Sequence, residues 1–225
     1  NGKVDLSSKA ADKLAQSTLG YLLVWELPDD DEEYAIGGDV AEGLEHGDRS
    51  SLDVCAKSDG RQVAHWFGHI DPKRFAHINK HIGLMYNKAF IGIERNNHGH
   101  ATLQELVEIY PTSRIYTEEH IDREDTDEET KKVGWHTSAQ SKPILTSGLD
   151  ELLTHDKDGI VWRGTANELN TFVYDKKGRM GAQPGGFDDQ VMSYMIAKEM
   201  LVRMPKKLIK DNTPAPHNPN SWMAR

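Results

Sequence analysis

The chain has 225 residues, 37% of them hydrophobic, which is enough for one sizeable core and ordinary for a folded domain. Its net charge of -9 argues against a protein that coats nucleic acid through lysine and arginine, and no run approaches the roughly 18 apolar residues of a membrane span. A single cysteine, Cys55, excludes an internal disulfide framework and a cysteine-based zinc site and favours cytoplasmic chemistry; it reads as a small core residue. The opening NGKVDLSSKA has neither a signal peptide nor an initiator methionine, so the chain is expected to be part of something longer. Charge is uneven: residues 118–130 form an acidic run, and Arg203, Lys206, Lys207 and Lys210 make the end basic.

In chain order, residues 1–33 read as a linker and lead-in, with Leu6, Ala10, Leu14 and Leu19 at loosely helical spacing and an acidic turn from Pro28 to Glu33. A folded domain is expected over 34–204, followed by a loose Pro- and Asn-rich tail over 205–225. Tyr34 to Asp39 reads as a buried strand with two glycines, and then a turn-rich loop. Ser51–Lys57 and Gln62–His69 are short apolar runs joined by Ser58-Asp59-Gly60, which is hairpin chemistry. From Pro72 the period changes to helical, through Phe75, Ile78, Ile82 and Met85.

Ala89–Glu94 is strand-like, His100–Tyr110 helical, and Ser113–Thr117 a further short strand. Residues 141–155 read as a helix, Ile160–Arg163 as a short strand, and Leu169–Gln183 as a helix end leading into a Lys-Lys-Gly turn. A last helix begins at Asp188 and runs through Val191, Met192, Met195, Ile196 and Met200 until Met204-Pro205 stops it. The pattern is an antiparallel opening with a β-α-β continuation, an α/β domain built on a mixed central sheet flanked by helices.

Carboxylates fall at the ends of three of these elements. Asp39 closes one buried strand, Glu94 closes another, and Asp188-Asp189 opens the last helix. Acids beside an apolar core are costly unless paired or bound to metal, and oxygen-only donor sets suit magnesium or manganese. Singly, each has an ordinary reading: Asp39 starts a turn, Glu94 pairs with Arg95 or a lysine, and Asp188 caps its helix. Together they suit a site in which two metals about 3.5–4 Å apart activate water and stabilise a leaving oxygen. Asp188 can be both cap and ligand, with Asp189 an equal or stronger ligand.

The successive segments YAIGGDVAEG with Asp48-Arg49-Ser50-Ser51, FIGIERNNHG, GWHTSAQSKPIL and GGFDDQVMSYMIA resemble, in order and spacing, the motifs of viral terminase large-subunit nuclease domains. The resemblance covers about residues 21–203. It implies a ribonuclease-H-like fold and hydrolysis of double-stranded DNA during genome packaging, with two divalent cations, Mg2+ or Mn2+, as cofactors. By position it implies Asp39, Glu94, Asp188 and Asp189 as catalytic metal ligands. It aligns Asp48 with a recurrent acid of loop-anchoring or site-supporting role. It also implies partners, namely a terminase ATPase domain, the portal and the small terminase subunit, in the host cytoplasm. No glycine-rich phosphate-binding loop occurs in the chain, so the nuclease half alone is expected.

Lys142, Lys176, Lys177 and Arg179 are the candidate DNA contacts, with Arg163 beside them; any one of them also suits a solvated turn. Lys142, in the family-like SKP segment, is the strongest of these. His98 and His100 start a helix more readily than they bind zinc, and Asn96 and Asn97 are turn formers first and supports for a ligand second. Trp66, Trp135 and Trp162 are expected in packing, not as base-stacking platforms. Rival readings are a Holliday-junction resolvase, a ribonuclease H, and a non-catalytic docking module of a packaging complex.

Overall fold

The apolar runs of the first half assemble into one sheet. The computed structural model describes residues 20–43, 49–120, 130–175 and 178–205. Its five strands are β1 (Tyr21–Val24), β2 (Tyr34–Asp39), β3 (Ser50–Ala56), β4 (Gln62–Gly68) and β5 (Phe90–Ile93), in the spatial order β1-β4-β3-β2-β5. The first four pair antiparallel, with the expected hairpin joining β3 to β4, whereas β5 lies parallel to β2. A parallel pair needs a crossover, and α1 (Pro72–Met85) supplies its helix; the Asp71 side chain caps it by accepting from the Arg74 N–H at 3.1 Å.

On one face of the sheet, α1 and α2 (Gly99–Ile109) bring Phe75, Ile82, Leu103 and Leu106 against Ile36, Leu52 and Val54. On the other lie α3 (Lys142–Thr154), α4 (Arg163–Leu169) and α5 (Asp189–Arg203), whose Tyr194, Met195, Ile196 and Met200 meet Ala35, Cys55 and Phe90. Sequence neighbours Ala35 and Ile36, like Val54 and Cys55, enter opposite cores, as strand geometry requires. Each fully buried large side chain contributes roughly 1.5–3 kcal/mol of transfer free energy. Cys55, Trp66, Trp135 and Trp162 are all buried, as their packing roles required.

Two features fix α5 on the sheet. At Gly37 a Cβ would lie 2.1 Å from the Ala197 nitrogen and 2.2 Å from the Ser193 oxygen, so helix backbone touches strand backbone there. Beside this contact the Ser193 hydroxyl lies 2.7 Å from Ser51 Oγ and donates to the buried Asp53 carboxylate at 2.6 Å. Asp53 is held in turn by His65 Nδ1 at 2.9 Å and by the Gln62 amide. A buried carboxylate with this many partners resists sliding, because any shift of α5 strands a polar group in the core.

Four sequence expectations are corrected. The lead-in is not all linker: it contributes β1, which pairs with β4 at the sheet edge. Ser113–Thr117 is not a strand: a 3-10 turn spans Thr112–Arg114, Ile115 makes one bridge to Ile91, and β6 (Thr117–His120) then pairs with β7 (Thr130–Val133) as a separate ribbon. Ile160–Arg163 is not a strand either. The N–H groups of Val161 and Trp162 both go to Gln62 Oε1, at 2.9 and 2.6 Å, instead of to a neighbouring strand, and α4 begins at Arg163. Within Leu169–Gln183 the helix end holds, since α4 stops at Leu169, but β8 (Phe172–Tyr174) and β9 (Met180–Ala182) flank the turn as a two-strand ribbon with too little apolar pattern to announce itself. The helical spacing of residues 1–19, the core of the acidic run and the tail from 206 lie outside the described residues. Among the described residues no helix is long and apolar enough to cross a membrane.

Candidate metal centre

β2 and β5 run parallel and end together. Gly38 pairs with Ile93 and the Glu94 N–H donates to the Gly38 oxygen at 2.8 Å, so Asp39 and Glu94 leave adjacent strands at one carboxyl-terminal edge, the edge at which α/β sheets place ligands. Their carboxyl groups lie close enough to interact directly. Burial raises the Asp39 pKa well above its ordinary value, and the nearby Glu94, then Asp189 and Asp188, raise it further. Asp39 therefore feels the three other predicted acids, which come from separate elements, in the folded chain.

Glu94 does not pair with Arg95, whose guanidinium turns to Glu118 at 3.1 Å. Its partner is Asn96, which donates through Nδ2 to Glu94 Oε2 at 3.0 Å and to the Val40 oxygen at 2.9 Å. The Asn96 oxygen accepts the His98 and Gly99 N–H groups at 3.1 and 2.7 Å. Asn96 thus ties Glu94, the loop after β2 and the start of α2 into one unit, the supporting role weighed for it beside its turn-forming one. Gly99 permits this closeness, since a Cβ there would meet the Glu94 oxygen at 1.9 Å.

At the helix end, Asp188 occupies the cap position of α5 but makes no side-chain capping bond. Its Oδ2 faces the Ala182 N–H at 3.4 Å and the Lys142 ammonium at 3.8 Å. The cap comes instead from Glu168 on α4, whose Oε2 accepts the Gln190 and Val191 N–H groups at 2.8 and 3.3 Å. Sequence reasoning missed Glu168: 22 residues separate it from Gln190, and no local motif marks it.

The candidate DNA contacts divide. Lys142 lies beside the acids, half-buried and 5.6 Å over the Phe172 ring. Arg179 is committed to Asp175 on its own hairpin at 2.7 Å, and Arg163 is exposed at the start of α4. Lys176, Lys177 and Asp48 lie outside the described residues. His98 stands at the start of α2, and His100 lines an open cleft of about 1020 Å³ that Glu94, Arg95, Lys132 and His136 also border.

An oxygen-rich set in which burial and then the neighbouring acids raise the Asp39 pKa fits a hard divalent cation. Among the described residues no group of three or more His, Cys, Asp and Glu side chains is already arranged as a cation site. With its ammonium 3.8 Å from Asp188, Lys142 would compete with a cation there, so Lys142→Ala should tighten Mn2+ binding up to about fivefold, the equivalent of ~1 kcal/mol. Titration calorimetry measures the change; weaker Mn2+ binding in the variant would contradict the competition.

The architecture is ribonuclease-H-like, an α/β class with its acids at the carboxyl edge of a parallel strand pair. It is similar to the crystal structure of the large terminase nuclease from thermophilic phage G20c, with TM-score 0.59 and 20% identity, covering 82% of this chain and 89% of that one. The G20c nuclease with bound magnesium aligns with TM-score 0.60 and 20% identity over 82% of this chain and 88% of that one. The large terminase nuclease domain of Thermus phage P74-26 aligns with TM-score 0.58 and 22% identity, over 82% and 86%. At this identity the likeness establishes the fold. No family model and no curated relative matches the chain.

Proposed function

We propose that the chain is the nuclease of a phage DNA-packaging terminase, a divalent-metal-dependent endonuclease that cuts double-stranded DNA. The observation that carries this reading is the meeting of Asp39 and Glu94, within the field of Asp188 and Asp189, at one edge of a fold shared with terminase nucleases that include a magnesium-bound form. Asp39, Glu94, Asp188 and Asp189 would together hold the Mg2+ or Mn2+ ions. When bound, the metals supply an activated water and neutralise charge on the phosphodiester, giving 5′-phosphate and 3′-hydroxyl ends.

The chain's own residues position and shield. Asn96 orients the Glu94 carboxylate, and the cleft beyond Glu94, with Arg95, Lys132 and His100 on its walls, admits the DNA strand. Lys142 contacts phosphate on the opposite flank, next to Asp188. In the phage-infected cell the domain would act in the host cytoplasm with the terminase ATPase, the small subunit and the portal. Supercoiled plasmid incubated with the purified chain should be nicked and linearised in Mg2+ or Mn2+ and left intact with excess EDTA. Undiminished cutting in EDTA would overturn the metal mechanism. No cutting of duplex, hybrid or four-way-junction DNA in either metal would favour a docking module.

A further inference from the structure

We propose that Glu168 is a positioning residue: by capping α5 in place of Asp188, it keeps the Asp188 carboxylate available to a divalent cation. The inference rests on the reading of Asp188 as a metal ligand. The residue at a helix N-cap normally turns its side chain back onto the N–H groups two and three positions along. For α5 those are the N–H groups of Gln190 and Val191, and Asp188 is a residue type well suited to take them. It takes neither, because Glu168 Oε2 already accepts both, at 2.8 and 3.3 Å.

The Glu168 carboxylate is itself anchored. Its Oε1 accepts the Gln190 side-chain amide at 2.5 Å, and the Gln190 oxygen accepts the buried Trp162 indole N–H at 2.6 Å. The Glu168 backbone oxygen also accepts the Thr171 N–H and hydroxyl at 2.9 and 3.0 Å, which ties the end of α4 to the β8 strand. With its N–H partners occupied, the Asp188 carboxylate points the other way, to Lys142 and toward the side from which it acts on Asp39.

The consequence is a competition. Removing the Glu168 carboxylate frees two N–H donors at a helix end, where an unpartnered donor is unfavourable, and Asp188 is the acceptor already placed to satisfy them. An Asp188 that turns inward to cap is withdrawn from the cation. Glu168→Ala should therefore weaken Mn2+ binding by at least about fivefold while the fold persists. Glu168→Gln, which keeps an oxygen acceptor of the same reach, should stay within about twofold of the parent. Glu168→Asp, one methylene shorter, should behave like Glu168→Ala and serves if the alanine variant does not fold.

The test is a double-mutant cycle read by Mn2+ titration calorimetry, with thermal melts to verify folding. In an Asp188→Asn background the loss caused by Glu168→Ala should vanish, because the ligand it withdraws is already gone. An equal loss in both backgrounds would mean that Glu168 merely stiffens the region, and no loss in the parent would mean that it does not hold Asp188; either overturns the proposal and leaves the nuclease reading standing. A parent chain that binds no Mn2+ at all would overturn both.

Discussion

Asp39→Asn is expected to leave the metal-free protein as stable as the parent or more so, while abolishing both metal stabilisation and DNA cutting. Burial and then Glu94 hold the Asp39 pKa above its ordinary 3.8, so the folded state favours the protonated carboxyl more than the unfolded state does. The sign follows. The contribution of Asp39 to stability is complete below its unfolded pKa and is lost as pH rises through the raised folded one. At neutral pH the parent without metal therefore carries a penalty that the near-isosteric amide removes, and the difference between the two proteins should widen from acid to neutral pH.

Manganese reverses the order. At about 100 times Kd a ligand adds ~2.7 kcal/mol to the protein that binds it, a rise of roughly 5–10 °C in the melting temperature of a chain this size. Asp39→Asn should show little of that rise, and its plasmid cutting should fall by about three orders of magnitude, the counterpart of several kcal/mol of lost transition-state stabilisation. Thermal melts across pH, with EDTA and with Mn2+, decide the matter. An Asp39 that only anchored a turn would instead cost up to about 1 kcal/mol on replacement and leave cutting intact.

The second large effect is expected at a residue with no chemistry of its own. A methyl group at Gly37 would meet the Ala197 nitrogen at 2.1 Å, the Ser193 oxygen at 2.2 Å and the Ala197 Cα at 2.8 Å, main-chain atoms of α5 that cannot rotate aside. Gly37→Ala should therefore push the helix off the sheet and destabilise the domain by about 3 kcal/mol or more, at the upper end for overpacking, lowering the melting temperature by roughly 6–12 °C. Since α5 carries Asp188 and Asp189 at its start, Mn2+ affinity should fall with stability. Gly148→Ala is the control. Gly148 is exposed within α3 with nothing within 4 Å of a Cβ, and alanine there should stabilise by up to about 1 kcal/mol. Equal effects at the two glycines would refute the contact as the cause.

The order of the main elements and the ends on which the acids sit were legible in the sequence, because both are written in local signals. Continuous apolar runs mark β2, β3, β4 and β5; Ser58-Asp59-Gly60 marks a hairpin; Pro72 and Pro205 bound α1 and α5. Asp39, Glu94 and the Asp188-Asp189 pair stood out because each sits where such a signal stops. Tertiary structure decided what those signals leave open. Four residues make β1 a strand only because β4 offers an unpaired edge, and the β8–β9 ribbon has too few apolar positions to show a period. Lys142 looked like a surface contact until the fold set it against Asp188, 46 positions along the chain. Asp188 looked like a cap until Glu168 took its N–H partners. The sheet edge and helix end on which the acids stand are set within a few residues of each, whereas the partner each carboxylate finds is set by residues tens of positions away, brought alongside by Gly37 and the buried Asp53–Ser193 contact.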